Sequence, residues 1–184
     1  DILYGGPGMD DLEGNDGADQ LFGEAGSDVL LGGAGNDELE GGEEIDYLFG
    51  QGDSDRLHGG QEDDHLFGGA DRDELYGEEG ADLLGGGNSA DLLFGGNGPD
   101  RLFGGDGDDA LNGGADRDLC IGGNGTDSLV DCEDDTDPGE VDPWLESAAG
   151  EDVDESAART ANDGNGENAI PNRITNIFLP LIVR

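Results

Sequence analysis

Histidine and cysteine are almost missing from this chain, with two of each among 184 residues. Zinc and copper sites draw on imidazole and thiolate, so neither metal fits this composition. Basic residues are scarce too: seven Lys and Arg stand against 47 Asp and Glu, for a formal net charge of -40. Without a basic patch to neutralise phosphates, nucleic acid is a poor partner, and anionic membrane surfaces are disfavoured for the same reason. No apolar run reaches the ~18 residues of a membrane-spanning helix. Apolar residues make up only 33% of the chain and aromatics 5%, which argues against one compact core of ordinary density. High charge with low hydrophobicity reads, by itself, as disorder. Catalytic signatures are missing as well. No G-x-S-x-G or H-E-x-x-H occurs, and no catalytic Cys-His pair can be argued, so nothing within the chain supports an enzyme.

What is present overturns disorder for residues 5–130. An aspartate recurs every nine residues without insertion or deletion, at Asp10, Asp19, Asp28, Asp37, Asp46, Asp55, Asp64, Asp73, Asp82, Asp91, Asp100, Asp109, Asp118 and Asp127. Each follows a glycine by five residues and precedes an apolar residue by two, leucine in every unit except at Cys120. Strict register over fourteen units marks a stacked repeat architecture.

The unit Gly32-Gly33-Ala34-Gly35-Asn36-Asp37-Glu38-Leu39-Glu40 shows the pattern in full. Glycine in its first half allows positive φ and a tight loop whose carbonyls turn inward. Its last three places alternate polar, apolar, polar, as a very short strand with one residue facing in. Loop plus strand makes half a coil, so two units close one turn. Fourteen units then give about seven coils, a rod roughly 34 Å long at ~4.8 Å per stacked strand. Such stacking sets Asp28 above Asp10 and Asp37 above Asp19. Two carboxylates at that spacing repel by about 3 kcal/mol at an effective dielectric near 20. A hard divalent cation with oxygen ligands removes the repulsion. Ca²⁺ tolerates the irregular coordination offered here better than Mg²⁺ does. Turn-capping without metal is the alternative, but simple turns do not require aspartate in every unit.

The unit resembles the G-G-x-G-x-D-x-U-x nonapeptide of the RTX (repeats-in-toxin) family, over residues 5–130. The resemblance implies an all-β, right-handed parallel β-roll (a β-solenoid) of about seven two-repeat coils, with an irregular acidic C-terminal tail. It implies calcium ions between loop n and loop n+2, held by loop carbonyls and the fourteen aspartates. Seven loops per edge set a ceiling of about twelve ions, which would cancel about 24 of the 40 net negative charges. It also implies an extracellular, secreted or cell-surface location.

Six units depart from glycine in the fourth place, with Glu44, Asp53, Glu62, Asp71, Ser89 and Asp116. These are either repeat decay or, in the middle coils, extra carboxylate ligands. The outward strand places are asymmetric too. Odd units place Val29, Leu31, Tyr47, Phe49, Phe67, Phe103 and Ile121 on one outer face, while even units present a mixed or charged one. An apolar stripe of that length marks a contact surface, covered by the chain's own C-terminal segment or by a protein partner. Exposed aromatics over a thin roll are the alternative.

The pattern stops at Val130, where Cys120 and Cys132 flank the last unit; in an exported chain a disulfide between them would staple the open end, and two buried free thiols are the alternative. Domains are therefore expected as a repeat roll over 1–132, an acidic cap or linker over 133–168, and an apolar segment over 169–184. Asp142 and Gly150 bound a short candidate helix around Pro143-Trp144-Leu145. Asp1-Ile2-Leu3-Tyr4 matches the last four places of a further unit, so upstream sequence is expected. The function expected is a calcium-binding module that folds on meeting extracellular Ca²⁺. A C-terminal secretion or stabilisation domain of a larger secreted protease or lipase is one alternative, and a surface adhesin another.

Overall fold

A computed structural model describes residues 1–132, so expectations for 133–168 and 169–184, the helix around Pro143 included, lie outside the described residues. The nine-residue period produces fifteen short strands and no helix among the described residues. They are β1 (Ile2–Pro7), β2 (Asp11–Asp16), β3 (Gln20–Ala25), β4 (Val29–Ala34), β5 (Glu38–Glu43), β6 (Tyr47–Gly52), β7 (Arg56–Gln61) and β8 (His65–Gly69). Then follow β9 (Glu74–Glu79), β10 (Leu83–Asn88), β11 (Leu92–Asn97), β12 (Arg101–Asp106), β13 (Ala110–Ala115), β14 (Leu119–Asn124) and β15 (Ser128–Val130).

Odd-numbered strands form one eight-stranded parallel sheet and even-numbered strands a seven-stranded one. Every pairing joins residues eighteen apart, as in Leu39 with Leu57 and Leu48 with Leu66. The true period is therefore two units, and the chain alternates between sheets as it climbs a β-solenoid of about seven coils.

The core is a double column of leucine. Leu21, Leu30, Leu39, Leu48, Leu57, Leu66, Leu75, Leu84, Leu93 and Leu102 are fully buried between the sheets, with Leu12 and Leu111 closing the column. Each such burial contributes about 1.5–3 kcal/mol, so a chain poor in apolar residues still has a continuous core one residue thick per strand. Strands exceed the expected three residues: most have six, because the first glycines of the next unit continue the ladder. Along β2 to β13, two places turn inward, the leucine and the glycine two residues after it, as with Leu39 and Gly41.

The asymmetry of the outer faces is present. Val29, Leu31, Tyr47, Phe49 and Phe103 on the even-strand sheet are buried, and Phe67 and Ile121 are half-buried. Phe49 stacks on Phe67 with ring centroids 5.4 Å apart. At the far end, Cys120 and Cys132 form a disulfide with Cα atoms 5.7 Å apart. It ties the segment after β15 to β14.

Candidate metal centre

Each repeat aspartate sits at the corner where a glycine loop enters a strand. On one edge lie Asp10, Asp28, Asp46, Asp64, Asp82, Asp100 and Asp118; on the other lie Asp19, Asp37, Asp55, Asp73, Asp91, Asp109 and Asp127. Within each edge the aspartates form a ladder. From Asp28 to Asp127, the Oδ1 of each accepts the backbone N–H of the aspartate one coil below: Asp10 donates to Asp28, Asp28 to Asp46, Asp46 to Asp64 and so on, at 2.7–3.0 Å.

The second oxygen has no such partner. Oδ2 is buried and accepts no hydrogen bond at Asp19, Asp28, Asp37, Asp46, Asp55, Asp64, Asp73, Asp82, Asp91, Asp100, Asp109 and Asp118. A buried carboxylate oxygen without a donor costs several kcal/mol unless a proton or a cation meets it. Asp10 and Asp127, in the terminal units, are half-buried and outside this set.

Local sequence explains the cradle around each Oδ2. The first glycine of the unit faces inward, and a Cβ placed there would crowd the aspartate five residues on. At Gly59 that Cβ would lie 2.5 Å from Asp64 Oδ2 and 2.9 Å from the Gly77 carbonyl oxygen. This is why glycine holds that place from Gly5 to Gly122 without exception. The second and fourth places, by contrast, all have positive φ. Asn15, Glu24, Gln51 and Glu78 do so in the second place, a constraint the fourth-place pattern alone does not reveal.

The non-glycine fourth places change the loop. Glycines there have φ of 118–152°, open essentially to glycine alone, whereas Glu44, Asp53, Glu62, Asp71, Ser89 and Asp116 lie at 67–81°. A Cβ in the glycine geometry would strike the carbonyl oxygen of the coil below; at Gly26 it would lie 1.9 Å from Gly8 O. Glycine loops bond N–H to a carbonyl of the coil above, as Gly26 does to Glu43 at 3.2 Å. Glu44 instead donates its N–H to Glu62 Oε2 at 3.0 Å. Glu44, Asp53, Glu62 and Asp71 are all exposed.

Electrostatics press against an ionised stack. Burial raises the Asp64 carboxyl to about 9 and those of Asp46 and Asp73 to about 8, opposed by the N–H each accepts and reinforced by neighbouring carboxylates. The same causes raise Asp55, Asp91 and Asp100 to about 7 and Asp28 and Asp82 to about 6. Among the described residues no three His, Cys, Asp or Glu side chains converge as a ready-made metal cluster. A cation at these corners would draw on backbone carbonyls beside fewer than three carboxylates. Oxygen-only donors suit a hard ion. Neither histidine joins the ladders: His65 stacks on Tyr47 and is held neutral by burial, which lowers it to about 4, while His58 contacts Glu78 at 2.9 Å.

Comparison with curated proteins yields no match. Comparison with family models matches the RTX calcium-binding nonapeptide repeat four times, at residues 4–39, 31–66, 58–93 and 94–129. Those matches span the region in which strand register, glycine cradles and aspartate ladders repeat coil after coil, and on that ground the chain belongs to the family of RTX calcium-binding nonapeptide repeat proteins.

Proposed function

We propose that this chain is an extracellular module whose folding is switched on by calcium. RTX repeats imply calcium binding, and proteins carrying them are typically secreted. The observation that carries the switch is the set of twelve buried Oδ2 atoms without a hydrogen-bond donor. A folded, metal-free stack would have to hold these oxygens charged in a desolvated site or protonate them against neutral solvent. Calcium bound between successive loops of one edge meets that need, with Asp10, Asp19, Asp28, Asp37, Asp46, Asp55, Asp64, Asp73, Asp82, Asp91, Asp100, Asp109, Asp118 and Asp127 supplying carboxylates and the loops supplying carbonyls. Seven loops on each edge accommodate up to about twelve ions. Binding energy then becomes folding energy, so the chain stays unfolded at low cytosolic Ca²⁺ and folds at the millimolar Ca²⁺ outside the cell.

Changing Asp46 and Asp64 together to Asn keeps the size of each side chain and the Oδ1 acceptor while removing two charges from one edge. Bound Ca²⁺ per chain, read by equilibrium dialysis, is expected to fall by one to three ions, with a several-fold rise in the Ca²⁺ needed for half-folding. Unchanged stoichiometry and midpoint would remove the repeat aspartates from the site.

A further inference from the structure

The outer face of the odd-strand sheet carries a column of rings with one rung missing. Tyr4, Phe22, Glu40, His58, Tyr76 and Phe94 stand in register across β1, β3, β5, β7, β9 and β11. Tyr4 stacks on Phe22 with centroids 5.0 Å apart, and His58, Tyr76 and Phe94 stack at 4.7 and 5.1 Å. All three pairs lie within 14° of parallel. Glu40 breaks the column. Phe22 and His58 therefore face each other across two strand spacings, ~9.6 Å, which is room for one flat group at stacking distance from both.

The surroundings of this gap have one sign. It lies in a groove of about 900 Å³ walled by Phe22 and His58 and lined with Glu24, Glu38, Glu40, Glu43, Glu78 and Glu79. No Lys, no Arg and none of the repeat aspartates is among its described lining residues. Arg56, on the neighbouring outward row, is engaged by Glu74 at 2.6 Å.

We propose that the missing rung is a binding site for an arginine side chain presented by a basic peptide segment. A guanidinium is flat, weakly hydrated and able to stack on ring faces while its N–H groups fork to carboxylates. A lysine ammonium is a compact, strongly hydrated point charge that cannot fill a plate-shaped gap in the same way. A calcium ion could meet the carboxylates but gains nothing from the rings. In the bound state the guanidinium completes the column between Phe22 and His58, and Glu40 supplies the opposite charge.

The test uses the full chain in millimolar Ca²⁺ at about 150 mM salt, with far-UV circular dichroism reporting the fold separately, so that loss of the calcium switch is distinguishable from loss of this site. Acetylated tri-arginine amide and tri-lysine amide are titrated by calorimetry. The wild-type chain is expected to bind tri-arginine about tenfold more tightly than tri-lysine. Glu40→Tyr, which fills the gap with a ring, is expected to weaken tri-arginine binding about tenfold and erase the preference. Asp11→Asn, which removes one exposed charge from the opposite sheet, changes it less than twofold. Should Glu40→Tyr fail to fold, Phe22→Leu removes one wall and is expected to erase the preference in its place. Equal affinity for the two peptides, or equal losses in Glu40→Tyr and Asp11→Asn, would mean diffuse attraction to an acidic surface and would overturn the proposal.

Discussion

Asp64 occupies the space beside Gly59 that any other residue would need for its side chain. An ideal Cβ on Gly59 would lie 2.5 Å from Asp64 Oδ2, while one on Gly52 meets nothing nearer than 3.6 Å. Alanine at the two glycines should therefore act very differently. Gly59→Ala forces the carboxylate or the Gly77 carbonyl aside, at about 1–3 kcal/mol, and is expected to raise the Ca²⁺ midpoint of folding several-fold. Gly52→Ala is expected to stay within about 0.5 kcal/mol of the wild type. Chemical denaturation in saturating Ca²⁺ reads both; equal effects would contradict the cradle.

Acidity should act on the metal-free chain in the direction opposite to ordinary acid denaturation. Carboxyls at Asp46, Asp64 and Asp73 are raised to about 8 or 9 in the folded roll, and an unfolded chain holds them near 3.9. Groups raised on folding contribute stability that is fully present below the unfolded value and is lost as pH climbs through the folded one. In chelator, β-structure is therefore expected to be greater at pH 5 than at pH 9, declining across that window. Circular dichroism in EDTA measures it. A chelated chain that gains β-structure as pH rises from 5 to 9 would refute the burial of these carboxyls.

Much of this architecture is legible in the chain because the period is strict. A two-unit coil, two sheets and the inward leucines follow from counting by nine and eighteen, whereas the Cys120–Cys132 pairing follows from two cysteines flanking the last unit. Strand length does not. Gly41 reads as a loop residue by type, yet it sits inward within β5, because its missing side chain makes room for Asp46. Nor does the constraint on Glu24 or Glu78 stand out, since positive φ at a glutamate leaves no mark beyond glycine in the same place of other units. The ring column spanning Tyr4 to Phe94 was equally open to view, but only when outward residues are aligned at eighteen rather than nine.

The apolar outer face of the even-strand sheet is proposed as a packing surface, for the chain's own C-terminal segment or for a partner. Phe49 is buried and stacks on the half-buried Phe67. Phe49→Ser with Phe67→Ser is expected to lower calcium-loaded stability by about 3–5 kcal/mol, or to change the oligomeric state if a partner provides the cover. Thermal melts and light scattering on the full chain decide it. No change in either would leave the face without a packing role.

The central claim, that calcium and the buried Oδ2 atoms together make the fold, is tested most directly by far-UV circular dichroism during a Ca²⁺ titration of the chelated chain at pH 7.5, with Mg²⁺ as control. Cooperative gain of β-structure is expected in the millimolar range of Ca²⁺, with little response to equal Mg²⁺, whose tighter octahedron suits carbonyl-rich loops poorly. A spectrum unchanged by millimolar Ca²⁺, or an equal response to Mg²⁺, would contradict the account.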